Sequence, residues 1–480
     1  MSWEAVIGIE VHVELATRSK MFCGCAVSFG EDPNTNTCPT CLGLPGALPV
    51  PNRAAIESIL AIGLALECRV SPQSVFHRKN YFYADLPKNY QISQFDIPVC
   101  VDGHLDIELD GETSRIGIER AHMEEDTGKS THVGDGGRIH SARATRLDFN
   151  RSGVPLVEIV SRPDLRSAAQ ARVYAQELTS VVAELGVSDA RLEEGSIRFD
   201  ANVSIRPDGD TDLGTKVEIK NMNSFRSLER AVEYEMARQV DLVETGGEVV
   251  QETRHWEEES AVTHSMRTKE GSSDYRYFTE PDLVPMVMDD QWVATIRSTI
   301  PELPAQRRAR LVASGLESEA AAVLSASSPQ LRQIYEDTVG AGAPPRAAAN
   351  WVVGDLTAAA RRSEPEVIRI SGNDLAELIS LVDSGRVSTS AAKEVLEGVL
   401  GGEGSASQVA EERDLIQITD VSQLIAVVDD IIEVNPKAVS DYRSGETKIV
   451  GFLVGQVMKA TMGKADPKAV NDLVRERLED

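Results

Sequence analysis

Three stretches of the chain alternate apolar and polar residues with a period of two. In residues 7–15, Ile7, Ile9, Val11, Val13 and Leu15 share one side, and Glu10, His12 and Glu14 the other. Successive side chains leave a strand on opposite faces, so this spacing predicts a half-buried strand. Residues 197–206 repeat the pattern, with Ile197, Phe199, Ala201, Val203 and Ile205 against Arg198, Asp200, Asn202, Ser204 and Arg206. Residues 215–220 do so again, with Val217 and Ile219 against Lys216, Glu218 and Lys220. Elsewhere the period lengthens to that of helices. Ser167 and Gln170 fit a capping box and Gly186 a terminating glycine, while Asn52 caps a helix running through 56–65. Residues from about 294 to 400 read as helical, the glycine-rich 401–407 as a flexible linker, and 408–480 as a small helical domain striped at 421–431 and 451–458. The expectation is an α+β chain: a sheet-based domain over 1–293, a helical domain over 294–400, a linker over 401–407 and a tail over 408–480.

The polar strand faces hold acids, bases and a histidine. Residues two apart on a strand lie ~7 Å apart, so Glu10 and His12 can both reach one ion above the strand. Carboxylates with an imidazole suit Mg²⁺, and neighbouring Arg and Lys suit phosphate oxygens. The pattern suggests a cleft for a metal–nucleotide. Residues 122–130 add the consecutive acids Glu124, Glu125 and Asp126, whose mutual repulsion calls for a cation. The GlyLysSer at 128–130 is not a phosphate loop of the Walker type, because Met123 stands where that motif needs glycine.

A formal net charge of -27 over 480 residues is not the footprint of a general nucleic-acid binder, so any nucleic-acid contact must rest on locally sorted basic groups. The N-terminus has no secretory pattern and no run approaches the ~20 apolar residues of a membrane span, so a cytoplasmic protein without membrane contact is expected. Four of the six cysteines, Cys23, Cys25, Cys38 and Cys41, form a CxC and a CxxC pair, the spacing of a closed four-thiolate structural zinc site.

Several long runs carry a resemblance. They are ValIleGlyIleGluValHisValGluLeu (6–15), HisArgLysAsnTyrPheTyrAlaAspLeuProLysAsnTyrGlnIleSerGln (77–94), HisMetGluGluAspThrGlyLysSer (122–130), AspPheAsnArgSerGlyValProLeuValGluIleVal (148–160), GluGluGlySerIleArgPheAspAlaAsnValSer (193–204) and GlyPheLeuValGlyGlnValMetLysAla (451–460). With them the chain resembles, nearly end to end, the B subunit of the bacterial tRNA-dependent amidotransferase. The resemblance implies a cradle domain on antiparallel sheets, a helical domain and a tail that helps bind tRNA. It implies an amidase-type A subunit and a small C subunit as partners, and ATP with Mg²⁺ for phosphorylating the side-chain carboxylate of Glu-tRNA(Gln) or Asp-tRNA(Asn). Ammonia from the A subunit would then displace phosphate. Residue by residue, His12, Glu125 and Glu218, with Glu10, correspond to positions around the metal, and Glu124 can share the role of Glu125. Lys79, Tyr81, Lys88 and Asn89 match residues near the ammonia exit and reaction centre. Arg151, Arg198, Asp200 and Lys220 are candidates for nucleotide contact. Three rivals stand beside this reading. One is a zinc-stapled tRNA-binding scaffold without catalysis. The second is the archaeal-type subunit, whose inserted domain has no room between residue 282 and the helices from 294. The third is a self-sufficient glutamine amidotransferase, for which GlySerSer (271–273) is too short a signature.

Overall fold

The computed structural model describes residues 2–133, 143–268, 275–362, 368–418, 421–461 and 463–479; the GlySerSer at 271–273 lies outside them. The chain divides into two compact units, Met1–Pro304 and Ala305–Asp480.

In the first unit the strands are, in chain order, β1 (Trp3–Glu14), β2 (Arg69–Val70), β3 (Gln73–Ser74), β4 (His77–Asn80), β5 (Tyr90–Ser93), β6 (Cys100–Leu109), β7 (Glu112–Glu125), β8 (Lys129–Val133), β9 (Ala144–Asp148), β10 (Pro155–Ser161), β11 (Ile197–Pro207), β12 (Val217–Met222), β13 (Glu252–Glu257), β14 (Val262–Thr268), β15 (Phe278–Thr279) and β16 (Met286–Val287). Nine of them form one sheet in the order β14-β13-β12-β11-β1-β10-β7-β6-β2, and β15-β4-β5 form a small second sheet. The pairings in the large sheet are antiparallel except β12 with β13, which run parallel. The fold is α+β.

The alternation seen in the sequence decides which face is covered. Ile7, Ile9, Val11 and Val13 of β1 are fully buried, as are Ile159 of β10 and Val203 of β11. Three helices supply the partners: α1 (Arg53–Ala65), α2 (Ala168–Glu184) and α3 (Phe225–Glu244). Tyr174, Leu178 and Val182 of α2 and Leu228 and Val232 of α3 join the same core, each fully buried aliphatic contributing roughly 1.5–3 kcal/mol. The helices start where side chains satisfy free N–H groups: Asn52 accepts from Ala54 and Ala55, and Ser167 from Gln170. The Gln170 side chain accepts from the N–H of Arg166 rather than closing the expected box with Ser167.

The second unit is helical and contains two apolar cores, one built from residues between Leu311 and Ala410 and one from residues between Leu424 and Leu478. Residues 401–407 are ordered differently from the expected linker. Gly402 closes the helix Thr389–Gly401 at φ 80°, and Ser405 with Gln408 forms a reciprocal capping box on the helix Ala406–Glu412. Ala406 is fully buried in the first of these cores. The glycines serve a helix end, where left-handed backbone is required, and the gap between the cores falls after Ala410.

Candidate active site

Register builds the site. β1 lies between β10 and β11, with His12 opposite Glu158 on one side and Arg198 on the other. Glu158 in turn faces His122 on β7. One step along, Glu10 is opposite Asp200, and Asn202 is opposite Glu218. Because these pairs have the parity of His12, they share the face away from the helices.

Two groups of ligand atoms gather there, each within 4.8 Å of one another: His12, Glu124 and Glu158, and Glu10, Asp200 and Glu218. In the first, His122 Nε2 lies 3.2 Å from Glu158 and 3.6 Å from Glu124, and the Lys79 ammonium 3.3 Å from Glu124. Glu124 also accepts from Ser93 Oγ at 2.9 Å and Gln91 Nε2 at 3.0 Å. Burial pushes the Glu124 carboxyl up, but Lys79 and then His122 outweigh it and hold it well below the usual range. Burial likewise opposes His122 and Glu158, yet their pairing lifts the imidazole to about 9 and draws the Glu158 carboxyl down to about 2. This end of the face is a pre-charged network.

In the second group Lys220 Nζ lies 2.5 Å from Asp200 and 3.1 Å from Glu218. Asn202 Nδ2 donates to Glu10 at 2.9 Å, and Thr253 Oγ1 to Glu218 at 2.7 Å. Burial and then the neighbouring Glu158, Glu218 and Asp200 raise the Glu10 carboxyl above its usual value. Such acid crowding is what a divalent cation relieves, so the donor set fits a hard cation.

Glu125 stands apart from both groups. Along β7 it has the parity of buried Met123, while Glu124 has that of His122, so it is Glu124 that reaches His12. Glu125 pairs with Lys88 and accepts the Ile92 N–H at 2.9 Å. Together they line a cavity of about 270 Å³ that also includes Cys41, Gly43, Arg78 and Tyr90. Lys79 and Lys88 leave the β4–β5 hairpin toward the adjacent acids Glu124 and Glu125 respectively. Tyr81 donates to Gln91 Oε1 at 3.3 Å, one bond removed from Glu124. Asn89 is exposed at φ 60° in the turn before β5 and is not brought to either acid group.

Arg198 reaches Asp126 at 2.8 Å and Glu14 at 3.9 Å. Arg151 donates to the carbonyls of Thr127 and Gly128 at 3.1 and 3.0 Å and lies 3.7 Å from Asp126. Burial and then Asp126 raise the Glu14 carboxyl to about 8. Residues 128–130 lead into strand β8, not into the helix a phosphate loop requires.

The four cysteines converge as their spacing predicted. Their sulfurs lie within 4.8 Å of one another, with Cys38 and Cys41 at 3.9 Å. Zinc–sulfur bonds of ~2.3 Å in a tetrahedron put sulfurs about 3.8 Å apart, so the cluster is consistent with structural zinc. The Cys38 N–H donates to Cys41 Sγ at 3.2 Å, and Gly43 takes φ 67° just beyond.

Period-two counting from Met123 would have singled out Glu124 and His122. Glu158 was missed as one acid in the apolar run 155–161; a lone carboxylate in a strand that should be buried was its signal.

The open face of this α+β sheet carries paired carboxylate groups beside lysines and arginines, and family comparison gives the class of domain to which it belongs. The model described as the GatB/GatE catalytic domain matches residues 5–294, and that described as the GatB domain matches residues 333–478. The chain is 49% identical over 479 residues to the aspartyl/glutamyl-tRNA(Asn/Gln) amidotransferase B subunit of Carboxydothermus hydrogenoformans, covering 99% of each. It is 50% identical over 481 residues to the B subunit of the same name from Moorella thermoacetica, covering 100% of each. The Salinispora arenicola B subunit is also 50% identical, over 99% of this chain and 96% of its own. This chain belongs to the family of aspartyl/glutamyl-tRNA(Asn/Gln) amidotransferase B subunits, and so to a multi-subunit, tRNA-dependent amidotransferase. Among the described residues no helix is long and apolar enough to cross a membrane.

Proposed function

We propose that the open sheet face binds ATP beside the aminoacyl end of a mischarged tRNA and transfers the γ-phosphoryl group to the side-chain carboxylate of Glu-tRNA(Gln) or Asp-tRNA(Asn). A carboxylate resists ammonia because oxide would have to leave. Phosphorylation replaces that leaving group with phosphate, and ammonia released from glutamine by an amidase-type A subunit, with a small C subunit in the complex, then displaces it to form the amide. The observation that carries this reading is the pair of adjacent carboxylate groups, Glu10/Asp200/Glu218 and His12/Glu124/Glu158, on one face of one sheet. These residues would hold Mg²⁺, which when bound neutralises charge on the phosphoryl oxygens. Of the two adjacent acids that the resemblance left open for this role, Glu124 is the one assigned to it here, because it lies with His12 and Glu158.

The cations on this face have matching work. Lys79, held charged above its usual range because Glu124 outweighs the effect of burial, faces the acids. Lys220, likewise raised, shares Asp200 and Glu218, and with a cation held by those acids it would be available to phosphate. Arg198 and Arg151, anchored on Asp126 and on the Thr127 and Gly128 carbonyls, would offer their remaining guanidinium N–H groups to a triphosphate. Lys88 with Glu125, together with Tyr81 and Asn89, is read as the ammonia exit. In this role the chain is a C–N bond-forming ligase subunit acting in the cytoplasm, with the four cysteines holding a structural zinc.

The test supplies the chain with its A and C partners, Glu-tRNA(Gln), Mg²⁺ and γ-³²P-labelled ATP, without an amide donor. ATP cleavage should require mischarged tRNA and fall about 100-fold or more in Glu124→Gln. Wild-type turnover in that variant would remove the metal role of Glu124. No cleavage by the unmutated complex with either mischarged tRNA would instead favour a tRNA-binding scaffold.

A further inference from the structure

Lys20 is fully buried. Lysine is almost never buried without a countercharge. Its ammonium lies 3.7 Å from Cys41 Sγ and donates to the Phe149 carbonyl at 3.2 Å. It therefore joins the cysteine centre directly to the segment that precedes β10.

The loop between the cysteine pairs makes the same connection repeatedly. Asn34 donates its side-chain N–H to the Leu147 carbonyl at 3.0 Å and accepts the Phe149 N–H at 2.8 Å. The Asn150 side chain accepts the Asn36 N–H at 2.8 Å and donates to the Asp32 carbonyl at 2.8 Å. Met21 N–H donates to the Gly153 carbonyl at 2.8 Å. Residues 27–51 contain no helix or strand of their own, and the cysteines and these bonds are part of what holds them. The far side of 147–153 meets the catalytic face: Gly153 N–H donates to the Asp126 carbonyl at 2.9 Å, and Arg151 holds the Thr127 and Gly128 carbonyls.

We infer that the cysteine centre clamps segment 147–153 against the end of β7 and thereby positions Arg151 for nucleotide phosphate, with Lys20, Asn34 and Asn150 as positioning residues. The inference rests on the reading of Arg151 under the proposed function. The clamp joins the cysteine centre to the end of β7 through segment 147–153. Loss of the metal would then act on nucleotide binding through loop order, not through chemistry.

The experiment uses the complex with its partner subunits. Asn34→Gly combined with Asn150→Ala removes the asparagine side-chain ties and leaves the four thiols, the Lys20–Phe149 bond and the Asn34 N–H to Asp148 bond in place; glycine keeps the left-handed backbone that Asn34 adopts at φ 63°. The double variant should keep one zinc per chain. Its amides at 148–154 should exchange at least tenfold faster, while those of α2 stay unchanged. KM for ATP should rise about tenfold with a much smaller change in kcat. Stripping zinc from the unmutated complex with a chelator should reproduce the exchange pattern. Unchanged exchange at 148–154 in both cases would overturn the clamp. Faster exchange with an unchanged KM for ATP, while Arg151→Lys raises that KM, would overturn the coupling to nucleotide. If Arg151→Lys also leaves KM unchanged, the reading of Arg151 itself fails and the proposal falls with it.

Discussion

Replacing Glu124 by Gln removes one charge from the most tightly held network of the site. The Lys79 ammonium lies 3.3 Å from the carboxylate, which at an effective dielectric of about 20 is a gross attraction of about 5 kcal/mol. Glu124 is 3% exposed, whereas the Lys79 side chain retains 21% of its exposure, so solvent recovers part of that loss. The glutamine also brings an N–H₂ group where Ser93, Gln91 and Lys79 all point donors, leaving at least one of them unpaired. The net cost should be about 3 kcal/mol, the scale of breaking a buried ion pair. A double-mutant cycle with Lys79→Met, read by urea unfolding of the full chain, isolates the pair. Restoring charge balance should return much of the stability, with a coupling of about 2 kcal/mol, while ATP cleavage stays lost. A cost under 1 kcal/mol for Glu124→Gln, or additive single effects, would refute the claim that the pair is built as a buried unit.

Two further outcomes follow from the same geometry. The Glu14 carboxyl, raised to about 8 in the folded protein, stays protonated where the unfolded chain has ionised, so the folded state binds more protons across that interval. Stability should therefore fall as pH rises from about 4.5 toward 8, and Glu14→Gln should flatten that slope in urea midpoints taken across the range; an unchanged slope would count against a Glu14 carboxyl raised by burial and by Asp126. Gly43→Ala would set a methyl 2.3 Å from Lys88 Cγ at a left-handed position. It should cost about 2 kcal/mol and depress activity while zinc, measured by metal analysis, remains bound; wild-type stability would show that the loop does not pack on Lys88 as described.

The sequence made the central sheet readable because each polar position is tied to a buried neighbour. Val11 and Val13 fix where His12 points, and Ala201 and Ile219 do the same for Asp200 and Glu218. The cysteine site was legible from spacing alone. Glu124 against Glu125 was harder, since consecutive acids at a strand end obscure parity and only buried Met123 reveals it. Glu158 and His122 each carry a local signal, but they pair across β10 and β7, strands joined through residues 126–154, and the pairing itself leaves no mark on the local sequence. Lys20 was invisible for a related reason. Its burial depends on Cys41 and Phe149, which lie 21 and 129 residues away. The segment 401–407 misled because composition records glycines without saying whether they loosen a chain or close a helix, and the Ser405–Gln408 cap is the feature that distinguishes them.

Oxygen transfer tests the central claim most directly. Glu-tRNA(Gln) carrying ¹⁸O in both side-chain carboxylate oxygens is converted by the complex with ATP and glutamine, and the released phosphate is analysed by mass. Phosphorylation of the carboxylate predicts one ¹⁸O in each phosphate formed per amide. Amide formation with phosphate free of ¹⁸O would contradict it, and with it the assignment of the open sheet face as a carboxylate kinase.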